Sequence, residues 1–304
     1  MDKEYLENIE KLNLEIIELK KSKEYVLGRK ILRIKKLLKQ LKVRDAINEI
    51  VISKKIKKYN FKNESQNNYT TRKLKNERKP KIVVYTCITG NYDNILEPFI
   101  KVDNVDFVIF TDIKDDKKLK FWNKKVIPSK LKKYSDIKKN RYIKMHPNEL
   151  FTEYDYSIYI DGNVQVMSDL TDLVYSVNDK TGISMHRHKS RNCIYDEIEV
   201  CRLRKKGNYK EMKKQVAKYK EEGFPCNFGM LEATIIVTDL KNLKAKKIYE
   251  DWWNEFNLTL SLRDQISLHY IIWKNNLTIN DFGCLGYNLY RNPKFRICTH
   301  KEFD

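Results

Sequence analysis

The sequence predicts an α/β domain with a mostly parallel sheet, preceded by a basic helical segment. Three observations predict it. From Lys81 onward, short β-branched and aromatic runs alternate with amphipathic segments. Residues 2–58 instead keep the 3/4 apolar spacing of helices. Between them, a stretch rich in Asn, Lys, Ser and Thr reads as a linker. The expected division is 1–59 helical, 60–79 linker and 80–304 globular.

In the first segment, Ile9, Leu12, Ile16, Leu19 and Val26 form one apolar stripe that fails only at Lys23. Leu27, Ile31, Ile34, Leu38 and Leu41 continue it after a one-residue shift, and Gly28 beside the shift predicts a bend between two helices. In the globular part, strands are expected at 82–85, 105–110, 156–160, 183–185 and 231–237. Helices are expected at 135–150, 193–204, 208–222, 242–256 and 262–274. A parallel sheet gathers its ligand beyond the carboxyl ends of the strands, where Thr86, Thr89, Asp112 and Asp161 fall. Trp252 and Trp253 belong in the core.

The composition narrows the function. The 304 residues carry 61 Lys+Arg against 41 Asp+Glu, a net charge of +20, while 41% hydrophobic residues support a real core and exclude global disorder. Between Lys20 and Lys58 there are 15 basic and 3 acidic residues. Such a block suits nucleic acid, an anionic membrane surface or plain solvation. Tyr25 is the single aromatic there, so the stacking platforms of a single-strand binder are missing and nucleic acid is the weaker reading. No apolar run approaches the ~20 residues of a membrane span. The polar start Met1-Asp2-Lys3-Glu4 is unlike a secretory signal. Six cysteines without C-x-x-C spacing read as reduced, mostly buried thiols. The expected location is cytoplasmic, with the inner face of the membrane as a docking surface.

The glycine-rich dinucleotide and P-loop fingerprints are absent, as are H-E-x-x-H and G-x-S-x-G. The informative segment is Tyr156-Ser-Ile-Tyr-Ile-Asp161-Gly162-Asn163. A strand that delivers a carboxylate, a small residue and an amide oxygen suits a hard cation held against a diphosphate. Taken alone, it better suits an ordinary Asp-Gly turn.

This segment resembles the metal-binding turn of GT-A glycosyltransferases, and residues in the right order over roughly 80–300 extend the resemblance. Residues 81–93, Lys-Ile-Val-Val-Tyr-Thr-Cys-Ile-Thr-Gly-Asn-Tyr-Asp, resemble the opening strand and nucleotide loop. Asn140-Arg141-Tyr-Ile-Lys144 resembles the basic helix that contacts the donor. Asn227-Phe-Gly229 and Arg263-Asp264-Gln265 resemble the Asn-x-Gly and Asp-Gln elements of retaining, glycogenin-like transferases. Asn192-Cys-Ile-Tyr-Asp-Glu197-Ile-Glu199, with Gly223-Phe-Pro225, is similar to a glycosyltransferase-like family found in bacterial polysaccharide loci and among plant mucilage and pectin-related proteins.

The resemblance implies a GT-A-like fold and transfer of a sugar from a nucleotide sugar, UDP-linked, to a surface polysaccharide or other glycan, with a lean to retention. Thr86, Thr89, Gly90, Tyr92 and Asp112 would cradle the nucleoside, and Arg141 and Lys144 would oppose the diphosphate charge. Asp161, Asn163 and His300 would hold Mn²⁺ or Mg²⁺, although Asn163 stands where many such enzymes carry a second Asp. Asp264, Gln265 and Glu232 would face the anomeric carbon, with Asp264 as the base if the reaction inverts. His188, Glu197, Asn227 and Gly229 would line the acceptor side. Residues 1–58 would serve homo-oligomerisation or attachment to an anionic membrane near a lipid-linked acceptor. Two rivals are a basic nucleic-acid binder and a non-catalytic coiled-coil scaffold. The scaffold leaves the ordered set from Thr86 to Gln265 without a purpose.

Overall fold

The computed structural model describes residues 3–39, 43–61, 79–114 and 119–300. The strands are β1 (Ile82–Ile88), β2 (Val105–Thr111), β3 (Trp122–Lys125), β4 (Tyr156–Ile160), β5 (Val164–Val166), β6 (Ile183–Arg187), β7 (Leu231–Asp239), β8 (Gly283–Cys284) and β9 (Phe295–Ile297). The helices are α1 (Lys3–Lys21), α2 (Lys23–Lys39), α3 (Val43–Lys57), α4 (Asp136–Met145), α5 (Pro147–Leu150), α6 (Ile194–Leu203), α7 (Tyr209–Glu221), α8 (Leu243–Leu258) and α9 (Asp264–Lys274).

Seven strands form one sheet in the order β3-β2-β1-β4-β7-β6-β8. It is parallel except where β7 runs antiparallel between β4 and β6. Period-two alternation divides β1 between two cores. Val83, Tyr85 and Cys87 join α4, α8 and α9 on one face, including the buried Trp252 and Trp253. Ile82, Val84 and Ile88 face the opposite way, onto β5, β9 and the segment around Leu170–Val174. A third cluster holds α6 and α7 against α9 through Ile198, Met212, Tyr219 and Tyr270. All six cysteines are free thiols; Cys87, Cys193 and Cys201 are buried, whereas Cys226 is exposed.

Two helix boundaries differ from expectation. The segment 135–150 is cut at His146, because Pro147 cannot donate the next helical hydrogen bond and opens α5 instead. The N-terminal bend lies at Ser22 rather than Gly28. The Ser22 hydroxyl accepts from the Tyr25 N–H at 3.1 Å and caps α2, which explains why the apolar spacing fails at Lys23. Gly28 sits inside α2, where an added Cβ would meet open space. The linker expectation for 60–79 lies mostly outside the described residues.

The N-terminal helices touch the globular part at a few points. Glu10 pairs with Lys294 at 2.7 Å, Ile56 is buried, and the Phe61 N–H donates to the Ser190 carbonyl at 2.7 Å. Their apolar stripe stays outside this contact: Leu12, Ile16, Leu19, Val26, Leu27 and Ile31 are all exposed.

Candidate active site

Asp161 follows the last residue of β4, so it shares a sheet face with Tyr159, whose hydroxyl donates to Asp161 Oδ1 at 2.9 Å. Spacing of three on α4 places Arg141 and Lys144 on one side of that helix. Lys144 Nζ lies 2.7 Å from Asp264 Oδ2 and 3.8 Å from Asp161 Oδ1, and Arg141 Nε lies 3.0 Å from the same Asp264 oxygen. Burial alone would raise the Asp264 pKa, but Arg141 and Lys144 hold it well below the usual carboxylate range. Asp264 is thus an enclosed counter-charge to Arg141 and Lys144. Lys144 is enclosed as well, with 2% of its side chain exposed, between Asp264 and Asp161. Arg141 is the more accessible of the two cations.

Gln265 is likewise committed: its Nε2 donates to the Leu231 carbonyl at 3.0 Å. His269 Nδ1 donates to the Gln265 carbonyl at 2.6 Å, leaving Nε2 to accept the Leu231 N–H at 2.7 Å. Both backbone groups of Leu231 are therefore held, which fixes the start of β7 and the next residue, Glu232. A register irregularity between Met185 and His186 sets His186 opposite Glu232. The Glu232 carboxyl lies 3.6 Å from His188 Nε2, and its pKa is pushed up to about 7 by burial first and then by Glu197 and Asp161. His188 Nδ1 accepts from the Ser190 and Arg191 N–H groups. Burial lowers its pKa to about 4, so a neutral ring presents Nε2–H to Glu232. Glu197 points inward as expected. Burial would raise its pKa, yet the guanidinium groups of Arg191 (2.5 Å) and Arg263 keep it lowered.

The loop after β1 is built around Gly90. It has φ +63°, and a Cβ there would lie 2.5 Å from Asp136 Oδ2, so only glycine fits. Asp112 accepts from the Gly90 N–H at 3.0 Å, and the Thr89 hydroxyl donates to the Asp136 carbonyl at 3.0 Å. These two residues therefore shape the loop. Thr86 Oγ1 is buried without a hydrogen-bond partner, while Tyr92 is exposed beside the His300 ring at 5.3 Å.

The pairing of β5 with β9 returns the chain to the Asp161 turn. Asn163 Nδ2 donates to the Cys298 carbonyl at 3.0 Å, which commits half of its amide to holding that return. His300 Nδ1 sits 3.1 Å from both oxygens of Asp93. Gly162 lies against Ile88 and Asp93, and a Cβ would come within 2.8 Å of Ile88 Cγ1. Asn227 and Gly229 shape the backbone before β7. Both have positive φ, and the Gly229 N–H donates to the Asn192 carbonyl at 2.8 Å.

Tyr159, Arg191 and His269 pack against these candidate residues and were not singled out in the sequence. Tyr159 alone carried a signal, its i−2 position from Asp161 on a strand.

Over residues 39–296 the chain matches the TOD1/MUCI70, glycosyltransferase-like domain. Among solved structures, it resembles the apo structure of the bifunctional glycosyltransferase WbbM at 13% identity and TM-score 0.41, over 67% of this chain and 39% of that one. It also resembles the galactosyltransferase LgtC in complex with donor and acceptor sugar analogs, at 12% identity and TM-score 0.36, over 62% of this chain and 70% of that one. No curated protein matches. The mostly parallel seven-stranded sheet with its flanking helices is the α/β arrangement expected from the sequence. With most of its length matched, the chain belongs to the TOD1/MUCI70 glycosyltransferase-like family.

Proposed function

We propose that this glycosyltransferase moves a sugar from a nucleotide sugar, UDP-linked, to a hydroxyl of a glycan in the cleft between Asp161 and Glu232. One observation carries the reading: the Asp161 N–H donates to the Thr234 carbonyl at 3.0 Å, so the end of β4 sits two residues from Glu232 on β7, and burial with Glu197 and Asp161 pushes the Glu232 pKa up to about 7, where an acid/base group works best. The loop of Gly90, Tyr92 and Asp112 takes the nucleoside, and Arg141 faces the diphosphate.

Asp161 and His300 fit a cation held by few protein atoms. Asp93 takes Nδ1 of His300 and thereby orients Nε2 as the donor, with phosphate oxygens and water completing the shell. Among the described residues, no group of three or more His, Cys, Asp or Glu side chains forms a fuller cage. A bound Mn²⁺ or Mg²⁺ would neutralise the leaving diphosphate. Asn163 contributes at most its amide oxygen.

For the retaining outcome implied by the Asp-Gln resemblance, Glu232 stabilises positive charge at the anomeric carbon. An inverted product would instead make it the base that takes the acceptor proton, since Asp264 is not free to do so. The exposed apolar stripe of α1 and α2, beside Lys-rich faces, supports attachment to an anionic bilayer near a lipid-linked acceptor. Among the described residues, no helix is long and apolar enough to cross a membrane.

The test is a nucleotide-sugar panel with and without Mn²⁺, read by thermal shift and by product configuration. Stabilisation by UDP species and metal supports the reading. No shift with any nucleoside diphosphate overturns it.

A further inference from the structure

We propose that Lys189, Arg204 and Arg291 form an acceptor subsite that selects a glycan carrying a carboxylate or phosphate next to its accepting hydroxyl. This rests on the Glu232 cleft being the transfer site. Lys189 stands just beyond β6, one residue after His188, and its Nζ lies 3.7 Å from the Tyr290 ring centroid. Tyr290 is exposed, and Arg291 follows it in the same single turn of 3-10 helix. Arg204 caps the end of α6. Glu232, Arg204 and Arg191 all lie close enough to the Tyr290 hydroxyl to act on it electrostatically. Three segments, the loop after β6, the end of α6 and the 3-10 turn at Tyr290, thus bring basic groups to one rim near Glu232.

The rim is not internally neutralised. Arg191 is taken by Glu197 at 2.5 Å. Among the described residues, no ion pair joins Lys189, Arg204 or Arg291 to a carboxylate. The ammonium of Lys189 has its pKa lowered, first by lost hydration and then, against the pull of Glu232, by Arg191, Arg204 and Arg291. Like charges held this close are unfavourable until an anion joins them. On the reading above, the donor diphosphate is met by Arg141 and by the cation at Asp161. A second anion is therefore expected on the acceptor. The exposed Tyr290 ring beside the cations adds an apolar face for a sugar, and the open rim suits a chain longer than one residue.

The test uses the full chain and three probes: an oligosaccharide of uronic acids, its carboxyl-reduced neutral counterpart and a glycosyl phosphate. Calorimetry at low and high salt reads each affinity, and UDP binding is measured in parallel. The acidic oligosaccharide should bind about tenfold or more tightly than its neutral counterpart at low salt, and lose that advantage as salt rises. Replacing all three cations (Lys189→Gln, Arg204→Gln, Arg291→Gln) should abolish the preference and leave UDP affinity within about twofold. The glycosyl phosphate arm separates phosphate from carboxylate as the preferred anion.

Equal binding of acidic and neutral probes overturns the proposal, as does a preference that survives the triple replacement. Parallel loss of UDP affinity would move the cluster to the donor. Displacement of the oligosaccharide by duplex DNA, dependent on the same three residues, would make it a general polyanion surface. If UDP fails to bind while the acidic preference holds, the transferase reading falls and the anionic subsite stands.

Discussion

Glu232→Gln separates the electrostatic account of the cleft from a purely structural one. The carboxyl titrates at 4.5 in isolation and at about 7 in the fold, a difference worth roughly 3 kcal/mol. A folded-state pKa raised in this way leaves the protein unpenalised below pH 4.5, and stability is lost as pH climbs through 7 and the buried acid ionises. An amide in its place would keep the shape and never ionise. At pH 5 the two proteins should therefore melt within about 2 °C of each other, whereas at pH 8 Glu232→Gln should be more stable by about 5–10 °C. Scanning fluorimetry across pH 5–8 reads this directly. The activity profile gives a second readout: the wild-type limb near pH 7 should vanish in Glu232→Gln, with turnover down about 10²–10⁴-fold. A melting difference that is the same at pH 5 and pH 8 would show that Glu232 is not held near neutrality by its surroundings, and the acid/base assignment would fall with it.

Other perturbations test the remaining parts. Asp264→Asn strips the counter-charge from buried Lys144 and Arg141 and should cost about 3–5 kcal/mol of stability in chemical denaturation; adding Lys144→Met should recover part of it. Unchanged stability with lost turnover would return Asp264 to the chemistry. Asp161→Ala should melt within a few degrees of wild type yet lose the Mn²⁺-dependent stabilisation by UDP, so a retained metal effect would remove Asp161 from the cation site. A chain beginning at Lys79 should still bind UDP but no longer co-sediment with anionic vesicles; insolubility would mean the helices belong to the catalytic core.

The sequence alone determined the elements whose signals are local. Apolar runs at 82–85, 105–110 and 156–160 specified largely buried strands, because parallel strands under helices are apolar on both faces. Asp161 at the end of such a strand was legible for the same reason, and the ordered motifs from residue 81 to Gln265 announced the family. Local signals also explain the two misplaced boundaries, since Ser22 and Pro147 were present to be read as cap and breaker. What the sequence left undecided was the chemistry of each carboxylate. Asp264 and Glu232 are both acids next to a strand or helix start, and nothing in their neighbours in sequence separates them. The tertiary structure does: α4 brings Lys144 and Arg141 from 120 or more positions away onto Asp264 and keeps it charged, while burial beside Glu197 and Asp161 lets Glu232 hold its proton. A side chain's pKa depends on the charges and the water within a few ångströms in space, and only the folded chain fixes which those are.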